Sequence, residues 1–318
     1  MMTYKNRLIC LLSLIAVLVL LYAGSFIVNA ETSGARSASM FWLDSELAAG
    51  ASRIVISMDA QNFELVKRAD QWFVLHNESK YPARRLRVED FVGILTKRTV
   101  WPVRSSGVAS HERFGLDTET AGRLAIYGED SSLLDLLIGF EDNTGQVFVR
   151  RYAQSEVRSG NSLLKTYMTS PVSSWYNLRL IPDSEDGKVS VKSVQRLSVY
   201  NGGTTQVFAR RNRVWTISGI DVTNPAQNAI ENYISIILNT EGDNFADSVS
   251  SGDPVFGNAG NSRITVELDN GSVITIRLSE SDESGSRYAH VSGREYIYSI
   301  PSWSAARLFR DASHFEKQ

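Results

Sequence analysis

Apolar landmarks in this chain of 318 residues come round twice, in one order. Ile54 and Leu197, Leu65 and Phe208, Trp72 and Trp215, and Phe91 and Ile234 are each 143 positions apart. Phe114-Gly115 and Phe256-Gly257 are 142 apart, and Leu124 with Ile264 and Ile138 with Leu278 are 140 apart. A drift of three positions over a whole unit is what loop insertions and deletions leave behind, and chance alternation would not hold the order. The chain therefore reads as two tandem copies of one module. The plainest echo is "KRADQWFV" at residues 67–74 against "RRNRVWTI" at 210–217. Each phrase puts cations and polar residues at a turn and a Trp at the start of the next strand, where a large aromatic caps one end of a small core. A second reading makes Trp72, Trp215 and, between the copies, Trp175 stacking platforms for a ligand.

Within the first copy, "RIVIS", "NFELVK" and "QWFVL" predict three short antiparallel strands. In "RVEDFVGILTK", Val88, Phe91, Val92 and Leu95 fall on one helical face, and Trp101-Pro102 stops the run. "GRLAIYG", "LLDLLIG" and "QVFVRRYA" are further strands, and "SLLKTYM" is a closing helix. From Val194 the order returns: "RLSVY", "TQVFA" and "RVWTI", then a helix capped by Asn224 with Pro225 at its first position. "SRITVEL" and "SVITIRL" flank the hairpin signal "DNG", and "RYAHV", "EYIYSI" and the helix-like "WSAARLF" complete the unit. The expected fold class is α+β: two tandem duplicated modules, each a small antiparallel sheet with one or two packed helices, after an N-terminal transmembrane helix. The expected boundaries are a transmembrane anchor or signal segment at 1–30, a tether at 31–50, a first module at 51–169, a linker at 170–193 and a second module at 194–318.

Leu8 to Val28 carries no charge in 21 positions, just enough helix to cross about 30 Å of hydrocarbon. Lys5 and Arg7 precede it, which places the N-terminus in the cytoplasm and the rest of the chain outside. The run is longer than the core of a signal peptide, which favours an uncleaved anchor, while "VNA" at 28–30 would serve as the exit of a cleaved one. The single cysteine, Cys10, lies inside this segment, so the remainder can build no disulfide and no thiolate metal site. The expected location is the bacterial cytoplasmic membrane, single-pass, with the bulk of the chain periplasmic.

Thirty-three basic and thirty-five acidic residues are dispersed and leave a net charge of −2, which argues against a nucleic-acid partner. The four histidines, His76, His111, His290 and His314, show no metal-ligand spacing, and no phosphate loop or nucleophile elbow occurs. No catalytic residue, cofactor or metal is expected, and the chain is read as a non-enzyme. One asymmetry stands out: Arg84, Arg85, Arg87, Lys97, Arg98 and Arg104 surround the first module's helix, while residues 224–239 of the second hold no cation. These six are either a solvated surface or a docking patch for anionic lipid, an acidic glycan or a partner protein.

Ile54, Ile56, Leu65, Lys67, Trp72, Phe114-Gly115-Leu116-Asp117, Ile138-Gly139 and Val147-Phe148-Val149, taken in order behind an N-terminal anchor, resemble the domain of unknown function 4340 family. The resemblance spans essentially everything after the anchor, with a looser second copy in which Asn258 follows Gly257 where Leu116 follows Gly115. It implies a non-catalytic, membrane-anchored extracytoplasmic accessory of an ABC-type, gliding-like transport complex, whose partner is an ABC permease or a companion extracytoplasmic subunit. It implies no catalytic residues. The alternative from a different class is a protein that binds an envelope glycan or small ligand in the cleft between its two modules.

Overall fold

The structure, a computed structural model, describes residues 39–59, 61–257 and 262–317. The expected transmembrane segment lies outside the described residues, among which no helix is long and apolar enough to cross a membrane. The chain divides into two compact units between Trp175 and Tyr176.

The first unit opens with β1 (Ser39–Met40), α1 (Ser45–Ala49), β2 (Arg53–Met58), β3 (Gln61–Arg68), β4 (Gln71–His76) and β5 (Ser79–Pro82). There follow α2 (Arg85–Thr96), β6 (Thr99–Val100), β7 (Val103–Ser105), β8 (Gly122–Tyr127), β9 (Ser132–Glu141), β10 (Gln146–Arg151), β11 (Val157–Asn161) and α3 (Leu163–Thr169). Nine strands make one antiparallel sheet in the order β5-β4-β3-β2-β8-β9-β10-β11-β7, and β1 pairs with β6 apart from it. Period-two burial explains its centre: Ile54 pairs with Leu65 on one side and Ile126 on the other, Leu65 pairs with Val74, and all four are fully buried. Burial of each such side chain contributes about 1.5–3 kcal/mol, so this row fixes the register of four strands.

The second unit contains β12 (Val194–Asn201), β13 (Thr204–Arg211), β14 (Val214–Ser218), α4 (Gln227–Leu238), β15 (Asn244–Phe245), β16 (Ser262–Leu268), β17 (Val273–Leu278), β18 (Arg287–Val291), β19 (Ile297–Ile300) and α5 (Ser302–Ala305). Its sheet runs β14-β13-β12-β16-β17-β18-β19-β15. Read from β4 and from β14, the two orders correspond strand for strand, and only β5 has no counterpart. The registers correspond as well: Leu197 pairs with Phe208 and Val266, and Phe208 pairs with Ile217, at the positions of Ile54, Leu65, Ile126 and Val74. The hairpin turns agree too. Ala69-Asp70 and Asn212-Arg213 all hold positive φ, between 47° and 66°, the two-residue geometry whose twist matches a hairpin.

The expected α+β class of small sheets is corrected by this architecture. Strands outweigh helices by 40% to 24% of residues, and the sheets have nine and eight strands. The strands missing from the expectation carry residues that mask them: β5 is Ser-Lys-Tyr-Pro, β11 contains Gly160, and β15 is two residues long. Nor is the tether polar slack from Ser39 onward. Trp42 and Leu43 are buried, both donate N–H groups to the Leu95 carbonyl, and Trp42 stacks edge-on against Trp101 at 5.2 Å. Helix α4 starts at Gln227 rather than at Pro225, because Pro225 bridges to Glu316 of the C-terminal tail.

Each unit closes its core with an aromatic from its last turn. Trp175 lies 5.7 Å from Phe63 and 5.3 Å from Phe91, and Phe315 lies 5.0 Å from Phe208 and 5.3 Å from Tyr233. Their carbonyls have equivalent partners, since Trp175 accepts from the N–H of Arg84 and Phe315 from that of Ala226, each at 2.7 Å. Arg84 and Ala226 are the residues immediately before the two long helices, so each tail ties down the entry of its unit's helix. The expected linker is thereby consumed. Beyond Trp175, Leu180 donates to Thr240 and Leu178 accepts from Gly242, inside the second unit.

Candidate functional site

The six cations of the expected docking patch fall in three separate places. Arg84, Arg85 and Arg87 lie at the start of α2, while Lys97 and Arg98 lie past its end, about 18 Å away along a twelve-residue helix. Arg85 pairs with Glu89 at 2.8 Å. The Arg87 guanidinium lies over the rings of Tyr167 and Trp175 at 4.7 and 4.8 Å, and its burial there pushes its pKa down. Arg104, on β7, donates to Ser159 at 2.7 Å and Gln146 at 3.0 Å, securing the edge of the sheet. Of the three expected stacking residues, Trp72 borders a cavity of about 330 Å³ with Lys67 and Val88. Trp72, Trp175 and Trp215 are 9%, 0% and 1% exposed, so the rings of Trp175 and Trp215 pack inside their own cores.

The Phe-Gly-Leu-Asp stretch builds a turn that the sequence marks but does not explain. Phe114 stacks on Phe148 at 4.5 Å, and Leu116 packs with Leu137 and Val157. Gly115 turns the chain at φ 65°, where a Cβ would meet the Phe140 ring at 2.8 Å. Gly139 admits the Phe114 carbonyl so closely that any Cβ there would collide with it. Asp117 accepts from the backbone N–H and hydroxyl of Thr120, which holds its carboxyl below the ordinary range.

Arg150 locks this turn to the next one, and sequence reasoning misses it. Arg150 is 5% exposed, and its guanidinium hydrogen-bonds to neutral backbone carbonyls. Nε donates to Leu116 at 3.0 Å, and Nη1 donates to Arg151, Tyr152 and Gln154 at 3.3, 2.8 and 3.1 Å. Burial pushes its pKa down. His111, also buried, faces the Ser155 carbonyl at 3.0 Å, and together these groups line a cleft of about 680 Å³ with Glu112 and Tyr152. In the second unit His290 stands at the Arg150 position. Its Nε2 lies 3.0 Å from the Arg294 carbonyl and so carries the hydrogen, leaving Nδ1 to accept from Arg277 at 3.1 Å. The Gln154 and Arg294 carbonyls are 140 positions apart, like Arg150 and His290. In both units a side chain at this position of the sheet is thus tied to the backbone carbonyl four residues further on.

The feature that differs between the units is the sheet edge at β14. In the first unit β4 is covered by β5, with Val74 opposite Tyr81 and His76 opposite Ser79. In the second unit β14 is the outermost strand. The backbone of Trp215 points outward, as its two bonds to the Gln227 side chain show. Alternation along a strand then turns the backbone of Ile217 outward too, and no partner for it occurs among the described residues. The consequence is visible in burial: Val74 is 0% exposed, whereas Ile217, its counterpart, is only half-buried.

No curated protein and no solved structure matches the chain. A family model described as a domain of unknown function (DUF4340) matches residues 72–254, from Trp72 in β4, across the Phe-Gly-Leu-Asp turn and the Arg150 clamp, to the counterpart turn before Gly257. That match covers more than half of the sequence and takes in part of each sheet, β4 to β11 of the first and β12 to β15 of the second. The chain belongs to the DUF4340 family.

Proposed function

We propose that the chain is a non-catalytic accessory held on the outer face of the bacterial cytoplasmic membrane, part of an ABC-type, gliding-like transport complex, and that it acts through protein–protein contact. The observation that carries this reading is the open edge of β14, where a protein surface offers backbone donors and acceptors to another chain. The apolar run Leu8 to Val28 behind Lys5 and Arg7 supports the location. The clamp at Arg150 supports the non-catalytic role, since its hydrogen bonds go to backbone carbonyls. Cross-linking at native expression, followed by purification of the intact chain from detergent-solubilised membranes, tests it. An ABC permease or a companion extracytoplasmic subunit is expected to co-purify, and repeated recovery of this chain alone contradicts the proposal.

A further inference from the structure

We infer that β14 is a strand-addition site: an extended segment of a partner protein pairs antiparallel with it, in the place β5 fills in the first unit, with an aromatic or branched apolar side chain opposite Ile217. The inference deepens the reading of the chain as a protein-contact accessory and rests on it. The first unit supplies the template. On an edge of matching register, Tyr81 of β5 lies opposite Val74, is itself buried, and completes the cover of that row. The second unit keeps the underlying row, Leu197–Phe208–Ile217, and lacks only the covering strand.

The unfilled length is defined at both ends. Gln227 occupies the backbone of Trp215, so the vacant strand position is Ile217, the counterpart of Val74, and the chain leaves the strand at Gly219, where φ is 87°. A segment laid here pairs with the one vacant outward-facing residue of β14, sets an apolar side chain over Ile217 as Tyr81 lies over Val74, and contributes no charge there. Its downstream end runs toward the turn at Asn212-Arg213. There Arg211 and Arg213 are exposed where the first unit has Arg68 and Asp70. The added cation favours acidic residues after the apolar one. Main-chain bonds supply the attraction and the residue over Ile217 supplies selectivity.

The test uses the full chain in detergent and, as probe, a fluorescent peptide of residues 78–84, which contains β5. Saturable binding is expected, weakened about tenfold or more by Ile217→Lys in the chain or Tyr81→Ala in the peptide. Gln227→Ala, which leaves Ile217 untouched and vacates a further edge position, is expected to tighten binding, so the test survives if Ile217→Lys fails to fold. Absence of saturable binding up to millimolar peptide overturns the inference, as does binding indifferent to both chain variants. A concentration-dependent dimer abolished by Ile217→Lys would assign the edge to a second copy and overturn it too. Co-purification separates the two levels: transport subunits recovered equally with wild type and Ile217→Lys overturn the edge site and leave the accessory role standing. Peptide binding without any transport subunit in the native membrane leaves the edge site and removes the role.

Discussion

The side chain of Gln227 pairs with the backbone of Trp215 as a strand would: the Trp215 N–H donates to Oε1 at 2.7 Å, and Nε2 donates to the Trp215 carbonyl at 3.0 Å. In the first unit the matching carbonyl, on Trp72, accepts at 2.8 Å from the backbone N–H of Ala83, just past β5. One glutamine at the start of α4 thus stands in for the end of a strand the second unit does not have.

Gln227→Ala removes both bonds beside a nearly buried tryptophan. Two net hydrogen bonds of this kind amount to about 1–3 kcal/mol, and the loss is expected as an earlier urea midpoint for the second unit. Gln227→Glu keeps the acceptor and loses the donor, so it falls between alanine and wild type. Equal midpoints for all three would show that the pairing contributes nothing.

The glycines of the Phe-Gly-Leu-Asp turn rank themselves. Gly139→Ala collides with the Phe114 backbone, which has no room to yield, and is expected to cost more than about 3 kcal/mol or to prevent folding. Gly115→Ala meets only the edge of Phe140, a largely exposed ring that can swing away, and adds the strain of a positive φ, for about 1–2 kcal/mol. Gly93→Ala, inside α2 with open space at its Cβ, is expected to stabilise by about 0.5–1 kcal/mol. Thermal unfolding of the three variants checks the order.

Arg150→Met keeps the length and apolar stem but strands the carbonyls of Leu116, Tyr152 and Gln154. A loss of about 2–4 kcal/mol is expected, together with faster amide exchange in both turns. Arg150→Lys, with one ammonium for carbonyls on two sides, recovers only part of it.

Two buried tyrosines give opposite outcomes. Tyr233 donates its hydroxyl hydrogen to the Leu308 carbonyl at 2.6 Å, so Tyr233→Phe is expected to destabilise by about 1 kcal/mol. The Tyr298 hydroxyl is buried with no hydrogen-bond partner among the described residues, so Tyr298→Phe is expected to be neutral or stabilising. Burial pushes both pKa values up, that of Tyr298 to about 12. The unfolded phenol titrates near pH 10. Stability from these residues is therefore whole below pH 10 and declines as pH rises from there through about 12. Unfolding midpoints of wild type and the Tyr298→Phe variant between pH 9 and 12 test the sign.

Much of the scaffold is legible because period-two burial leaves its mark wherever a strand is covered on one face. Ile54, Leu65 and Val74 show this, and so do Leu197, Phe208 and Ile217. Strand β5 is hidden because Lys80 and Pro82 read as loop, and β11 because Arg158 and Gly160 interrupt the pattern. The fold class misleads for the same reason: each hidden strand makes the sheets look smaller than they are. The cations from Arg84 to Arg104 look like one patch because nearness in sequence ignores the length of α2. Arg150 and Gln227 give no signal, since a polar residue at a strand end or in a first helical turn is ordinary. Their role lies in carbonyls and a strand edge brought to them by distant segments.

Native-state amide hydrogen exchange at two counterpart positions tests the central claim most directly. If the second unit is the first without its edge strand, the Val74 amide, bonded to β5, exchanges slowly while the Ile217 amide of the purified chain exchanges near the rate of an open strand edge. Equal protection at both would mean that something in the chain already covers β14, and the account would fail.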